Sequence, residues 1–361
     1  MYNQIEIRNK MGDELSRQWY DRRLEALEGK RNVLTFTQGL PLPEVDHISH
    51  FDSYWESFSK PQKIIVMGDS EYSRYTMKTL FHSRYKDYIA GFCTPEGNKE
   101  TFLDGYNVYS IDEAIAMDDV VFLIGDPEES KRFSTYNYLV KYEVNQAKIY
   151  IASEFLKAKC GKHYFDLVLP EKNEVFLDCG CLDMSTSLDF YNWCNHSCEK
   201  IIAFEPDPVS IERCKQNKEK WNLSMVKLVE AAAFNKEGTM TFMAFHSGSS
   251  RILETGNVTV PTVRIDNVLK GERVTFIKMD IETAEFAALE GARETIEKWK
   301  PVLAISIYHR KDDILTIPPL IMSMNEDYTL YLRQYSNSMF EGVLYAVPKG
   351  RRVLENTNKA W

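Results

Sequence analysis

Glu174-Val-Phe-Leu-Asp-Cys-Gly-Cys-Leu-Asp183 and, shortly after it, Ile201-Ile-Ala-Phe-Glu-Pro206 decide the fold of this chain. Each reads as an apolar strand that ends in an acidic turn, and a helix-length stretch separates them. Parallel α/β sheets hold nucleoside-containing ligands in this way. The first turn lets the ligand approach the backbone, and an acid at the second strand tip accepts hydrogen bonds from ribose hydroxyls. Gly180 and Glu205 are 25 positions apart, near the roughly 20 of a dinucleotide fold. The turn lacks the three glycines that seat a pyrophosphate on a helix N-terminus. A nucleoside cofactor without a diphosphate fits better, and S-adenosylmethionine is the candidate.

Working outward, 361 residues allow two domains and a sizeable core. The net charge of −9 and a pI near 5.5 speak against a nucleic-acid or anionic-membrane binder, because phosphate affinity comes from clustered Lys and Arg. The polar start, with no apolar run near the ~20 residues of a membrane span, predicts a cytoplasmic protein. Its expected partner is a small-molecule or glycan-precursor substrate, and a homo-oligomer is compatible with the sequence. Seven cysteines without an export signal argue against a disulfide framework. Cys179, Cys181, Cys194 and Cys198 around His196 are spaced too tightly for the usual structural zinc pattern. They read as small semi-buried thiols, and no metal is expected.

The organisation follows from periodicity. Residues 1–60 read as a helical arm and linker, with an amphipathic helix over 12–30 stopped by Gly29 and a linker at Pro41-Leu-Pro-Glu44. Residues 61–160 read as a Rossmann-like domain, with strands at Lys63–Asp69, Tyr88–Cys93, Asp119–Asp126 and Lys148–Ala152 and a helix at Ser73–Ser83. Its turn Gly68-Asp-Ser-Glu-Tyr-Ser-Arg74 has one glycine and two acids where NAD needs three glycines, so scaffolding or substrate recognition is the better reading. Residues 161–350 form a second α/β domain and 351–361 a tail. Two parallel-sheet domains in tandem is therefore the expected α/β fold.

Four motifs in order sharpen this: Phe176-Leu-Asp-Cys-Gly, Ala203-Phe-Glu-Pro-Asp, Phe276-Ile-Lys-Met-Asp-Ile-Glu-Thr-Ala-Glu-Phe-Ala-Ala-Leu-Glu-Gly-Ala and Pro301-Val-Leu-Ala-Ile-Ser-Ile-Tyr-His309. With them the chain resembles FkbM-family S-adenosylmethionine-dependent methyltransferases over roughly residues 165–348. The third motif is the distinctive one, and it departs from the family at Thr283, where members commonly carry Gly. The resemblance implies a seven-stranded class I methyltransferase sheet with an antiparallel last strand. It also implies O-methylation of a hydroxyl on a sugar, polysaccharide precursor or secondary metabolite. Two other readings stay open: an NAD-dependent nucleotide-sugar oxidoreductase or epimerase, and a non-catalytic cofactor-binding module.

Methyl transfer to a hydroxyl asks the protein to position two reactants and remove a proton. Asp178 is expected to touch the methionine ammonium, with Cys179, Gly180 and Cys181 along the same turn. Glu205, followed by Pro206, is expected to hold the ribose, and Ala231 with Ala232 to meet the adenine. Asp280 and Glu282 stand as acceptor-side general bases, because close carboxylates raise one another's proton affinity. Glu285 reads either as an acceptor contact or as a helix cap. His309, at a strand tip, is a third candidate base. Ser249, Ser250 and Arg251 sit in a Gly/Ser-rich loop that can fold over the acceptor, and Arg333 is a further acceptor candidate.

Overall fold

A computed structural model of the chain describes every residue except 1, 32–35, 37–39, 41–48, 69–84, 95–101, 104, 126–128, 152–162, 244–250, 253–257, 336–338 and 355–361. The chain divides into two compact units, Arg31–Cys160 with Ser336–Met339 and all the remainder. The linker 41–44, the helix expected at 73–83 and nearly all of the turn after Gly68 lie outside the described residues.

The smaller unit holds six strands: β1 (Lys63–Met67), β2 (Ile89–Cys93), β3 (Phe102–Leu103), β4 (Tyr106–Tyr109), β5 (Val120–Ile124) and β6 (Ile149–Ile151), in the order β3-β4-β2-β1-β5-β6. All neighbours are parallel except the β3–β4 hairpin. The apolar runs on β1 and β5 are buried because both faces are covered. Phe51, Ile64, Val66, Phe92 and Leu123 pack one face, while Ile65, Phe122, Leu139 and Ile149 pack the other.

The larger unit continues with β7 (Val175–Cys179), β8 (Lys200–Phe204), β9 (Val226–Val229), β10 (Ala232–Phe234), β11 (Gly238–Met243), β12 (Arg251–Ile252), β13 (Val258–Arg264), β14 (Phe276–Met279), β15 (Val302–Ser306), β16 (Thr329–Gln334) and β17 (Gly342–Val347). Seven of these form the sheet β16-β17-β15-β14-β7-β8-β9. β17 runs antiparallel to both of its neighbours while the central strands are parallel. This is the class I methyltransferase order, with the final strand of the chain inserted in reverse. A separate sheet, β10-β13-β11-β12, flanks it. Its strand β13 carries Pro261 in its interior, a residue that weakens a strand pattern in sequence.

The arm helix runs Glu14–Leu27, capped by Asp13, whose carboxylate accepts from Ser16 N. It packs along the edge strand β16 rather than standing apart. Ser16 Oγ accepts from Leu332 N at 3.0 Å, Gly12 N donates to Leu330 O at 2.8 Å, and Arg23 Nη2 donates to Gln334 Oε1 at 3.0 Å. An exposed edge invites pairing with other chains, and residues 10–23 cover this one. Arg333, expected near the acceptor, belongs to this docking surface instead: its guanidinium meets Asp13 at 2.5 Å and Ser16 Oγ at 2.9 Å.

Candidate active site

The carboxyl ends of β7, β8, β14 and β15 lie side by side, the edge where open α/β sheets bind ligands. At the tip of β8, Glu205 is 5% exposed. Its carboxylate accepts from Leu182 N and from Asp207 N, each at 2.9 Å. Burial pushes its pKa up to about 7, against the pull of the two amides. One lone pair on each oxygen stays available, the set that a vicinal diol can use.

Between β7 and β14 the chain is tightly determined. Gly180 adopts φ 80°, and a Cβ there would sit 2.1 Å from Asp280 O. Only glycine fits this turn. Lys278, paired in register with Asp178 across β14 and β7, places Nζ 3.2 Å from Asp178 Oδ1 and donates to Gly180 O at 2.6 Å. Ser187 Oγ donates to Asp178 Oδ2 at 2.7 Å.

Asp178, expected to touch a ligand ammonium, is fully buried. Its carboxylate serves Lys278 and Ser187 within the fold. Cys179 and Cys181 are likewise buried, the latter with its Sγ 3.6 Å from Cys214 Sγ, so neither side chain lines an open site. Ala231 and Ala232 are buried too, and Ala232 packs against Val260. Pro206 is half-buried beside Glu205.

At the tips of β14 and β15 the remaining candidates converge. His309 Nδ1 lies 2.8 Å from Glu285 Oε1, and its Nε2 lies 3.4 Å from Asp280 Oδ1 and 3.6 Å from Glu282 Oε1. Burial alone disfavours the imidazolium, yet Glu285 and Glu282 outweigh it and hold the ring's pKa well above its ordinary value. His309 thus sits as an ion-pair partner of these carboxylates. Glu285 also accepts from Ile281 N at 2.8 Å. At 1% exposure it closes the turn before its helix Glu285–Gly291, the helix-cap alternative of the sequence reading.

Asp280 and Glu282 keep a solvent-facing side, each side chain being 21% exposed. Asp280 accepts from Tyr164 Oη at 2.8 Å and from Tyr308 Oη at 3.2 Å. Both phenols are pushed well up by burial and by Asp280, so they remain donors. The turn that presents Glu282 is left-handed at two non-glycine residues, with φ 52° at Glu282 and 86° at Thr283. A β-branched residue there is strained.

Lys278, Tyr164, Ser187 and Tyr308 were not singled out from sequence. Lys278 had a legible signal, a charge in the middle of an apolar strand; Tyr164 had none. Ser249 and Ser250 lie outside the described residues, as does the side chain of Arg251. Among the described residues the cysteines form no cluster of metal-ligand spacing.

The sheet order and the acidic strand tips define the class: a methyltransferase-type α/β domain. Residues 178–339 match the model of the methyltransferase FkbM domain. The 2-O-methyltransferase NoeI of Sinorhizobium fredii is 27% identical over a match covering 36% of this chain and 62% of NoeI, so the chain spans less than two thirds of that relative. A crystal structure of the methyltransferase FkbM from Methylobacillus flagellatus KT superposes with TM-score 0.47 and 16% identity, covering 91% of this chain and 99% of that one. The SAH-bound Podospora anserina methyltransferase PaMTH1 follows at TM-score 0.30 and 14% identity, over 48% of this chain and 72% of that one. No helix among the described residues is long and apolar enough to cross a membrane.

Proposed function

We propose that the chain is an S-adenosylmethionine-dependent O-methyltransferase acting on a hydroxyl of a sugar, a polysaccharide precursor or a secondary metabolite. The observation that carries the reading is Glu205: a buried carboxylate at the β8 tip, oriented by Leu182 N and Asp207 N and beside the Gly180 turn. A ribose diol is the ligand whose two O–H donors complete such a carboxylate. S-adenosylmethionine supplies an activated methyl group with its own leaving group.

The protein's share is position and proton removal. Asp280 and Glu282 are partly exposed carboxylates at the same sheet edge, and Asp280 is oriented by Tyr164 and Tyr308. These carboxylates are the groups assigned to take a proton from a hydroxyl. The family match and the 2-O-methyltransferase relative support an oxygen acceptor, and the carbohydrate class rests on the family resemblance.

The test is methyl-labelled cofactor incubated with a panel of oligosaccharides and polyhydroxylated metabolites, with Asp280→Asn run in parallel. The reading expects label on oxygen with at least one acceptor and a fall of about 10²-fold or more in the variant, the usual worth of a general base. Label transferred equally by Asp280→Asn would remove the assigned base. Label found on nitrogen or carbon would remove the O-methyltransferase reading.

A further inference from the structure

We infer that the seven-stranded sheet carries a second ligand site at its amino edge, opposite the strand tips that hold Glu205 and Asp280, and that this site takes a small phosphate monoester. The inference goes beyond the methyltransferase reading and does not rest on it.

The position follows from the topology. Val274 lies just before β14, Val302 opens β15, Asn325 precedes β16, and Arg351 follows the antiparallel β17. These residues line one cavity of about 440 Å³, within the range of about 300–1,000 Å³ for small-molecule sites. The four residues of β14 alone put roughly 13 Å between this cavity and Asp280, at about 3.3 Å per residue.

Two observations give the ligand its chemistry. The first is a set of donors without acceptors. Trp299 Nε1, Asn325 Nδ2 and Arg351 Nε, all on residues of the cavity wall, make no hydrogen bond. Asn325 is 8% exposed and the Arg351 side chain 5%, and buried polar atoms almost always find partners. The other ends of both side chains are engaged. Arg351 Nη1 meets Glu171 at 3.2 Å and its Nη2 meets Glu174, while Asn325 Oδ1 accepts from Asp327 N at 3.3 Å. What the wall lacks is an acceptor.

The second observation is charge. Arg273, Lys300, Lys349 and Arg351 line the cavity against two carboxylates, Glu171 and Asp327, in a chain of net charge −9. Both carboxylates already have a cation, Glu171 in Arg351 and Asp327 in Lys300 at 3.7 Å. Lys349 is exposed and forms no ion pair among the described residues. A phosphate accepts charge-assisted hydrogen bonds from several such donors at once. Bare phosphate fills only a small part of this volume, and the buried Val274 and Val302 offer apolar wall to the carbon body of an ester.

The experiment titrates the full-length chain by calorimetry with glucose 6-phosphate, glycerol 3-phosphate, inorganic phosphate and glucose, each to millimolar concentration, with and without S-adenosylhomocysteine. One ester per chain is expected. Its affinity should fall about tenfold or more in Lys349→Glu and in Asn325→Asp, the worth of one hydrogen bond to a charged group. Lys349 is exposed, so that variant stays informative if the Asn325 change impairs folding; circular dichroism verifies each fold. Inorganic phosphate is expected to bind more weakly than the esters, glucose not to bind, and ester affinity to be the same with the homocysteine ligand present. Neither ester bound by the folded wild type, or equal binding by both variants, would overturn the site. Glucose bound as tightly as its phosphate, or inorganic phosphate as tightly as the esters, would overturn the ligand class. Competition with S-adenosylhomocysteine would move the ester to the Glu205 edge and overturn the inference. Failure of S-adenosylhomocysteine to bind, with the ester still held, would count against the methyltransferase reading alone.

Discussion

Lys278 and Asp178 face each other across neighbouring strands, Nζ to Oδ1 at 3.2 Å, with side chains 3% and 0% exposed. The pair joins the two central strands whose tips carry the Gly180 turn and Asp280. Burial lowers the lysine's proton affinity, but Asp178 and Asp280 more than restore it, so Lys278 stays charged. Breaking a buried pair leaves one charge unpaired, which costs about 3–5 kcal/mol. Lys278→Met is expected to lose that much in denaturant unfolding, and the Lys278→Met/Asp178→Asn double variant to recover most of it. A single variant as stable as wild type would refute the role.

Glu205 titrates near neutrality, at about 7 against an ordinary 4.5, because burial outweighs its two amide donors. A folded value above the unfolded one means that the group's contribution is fully present below the unfolded value and is lost as pH rises through about 7. A ribose diol donates to the ionised form, so ligand affinity moves the opposite way. Binding of S-adenosylhomocysteine is expected to be about tenfold tighter at pH 8 than at pH 6, and Glu205→Gln to flatten that dependence. A pH profile identical in the variant would exclude Glu205 as its source.

Thr283 sits at φ 86°, where a β-branched side chain costs about 1–3 kcal/mol. Thr283→Gly relieves that strain at a smaller cost in unfolded-chain entropy. A gain of about 1 kcal/mol in thermal stability is expected, and a loss would show that the threonine makes a compensating contact.

Arg333 ties the arm to β16 through Asp13 and Ser16. Arg333→Ala is expected to lower stability by about 1.5–3 kcal/mol, the range for hydrogen bonds to charged groups, with cofactor affinity unchanged. Limited proteolysis should then cleave near residue 30 sooner than in wild type. Weakened cofactor binding at unchanged stability would return Arg333 to the site.

The sequence disclosed the fold through its apolar runs: strands expected at Lys63–Asp69 and Tyr88–Cys93 are observed at Lys63–Met67 and Ile89–Cys93. Parallel strands buried on both faces leave that mark plainly. What it concealed was direction. Asp178 and Glu205 look alike as acids at strand tips, yet one pairs with Lys278 across the sheet and the other accepts from the backbone of the neighbouring turn. The difference depends on pairing register between residues 100 positions apart, which no local pattern encodes. His309 was found but its carboxylate partners were not, because Glu282 and Glu285 reach it from a turn 24 or more positions earlier.

Calorimetric titration of the full chain with S-adenosylhomocysteine, beside Glu205→Ala, tests the central claim most directly. The account predicts 1:1 binding in the wild type and at least a tenfold loss in the variant, since two charge-assisted hydrogen bonds disappear. No binding by the folded wild type, or equal binding by the variant, would contradict it.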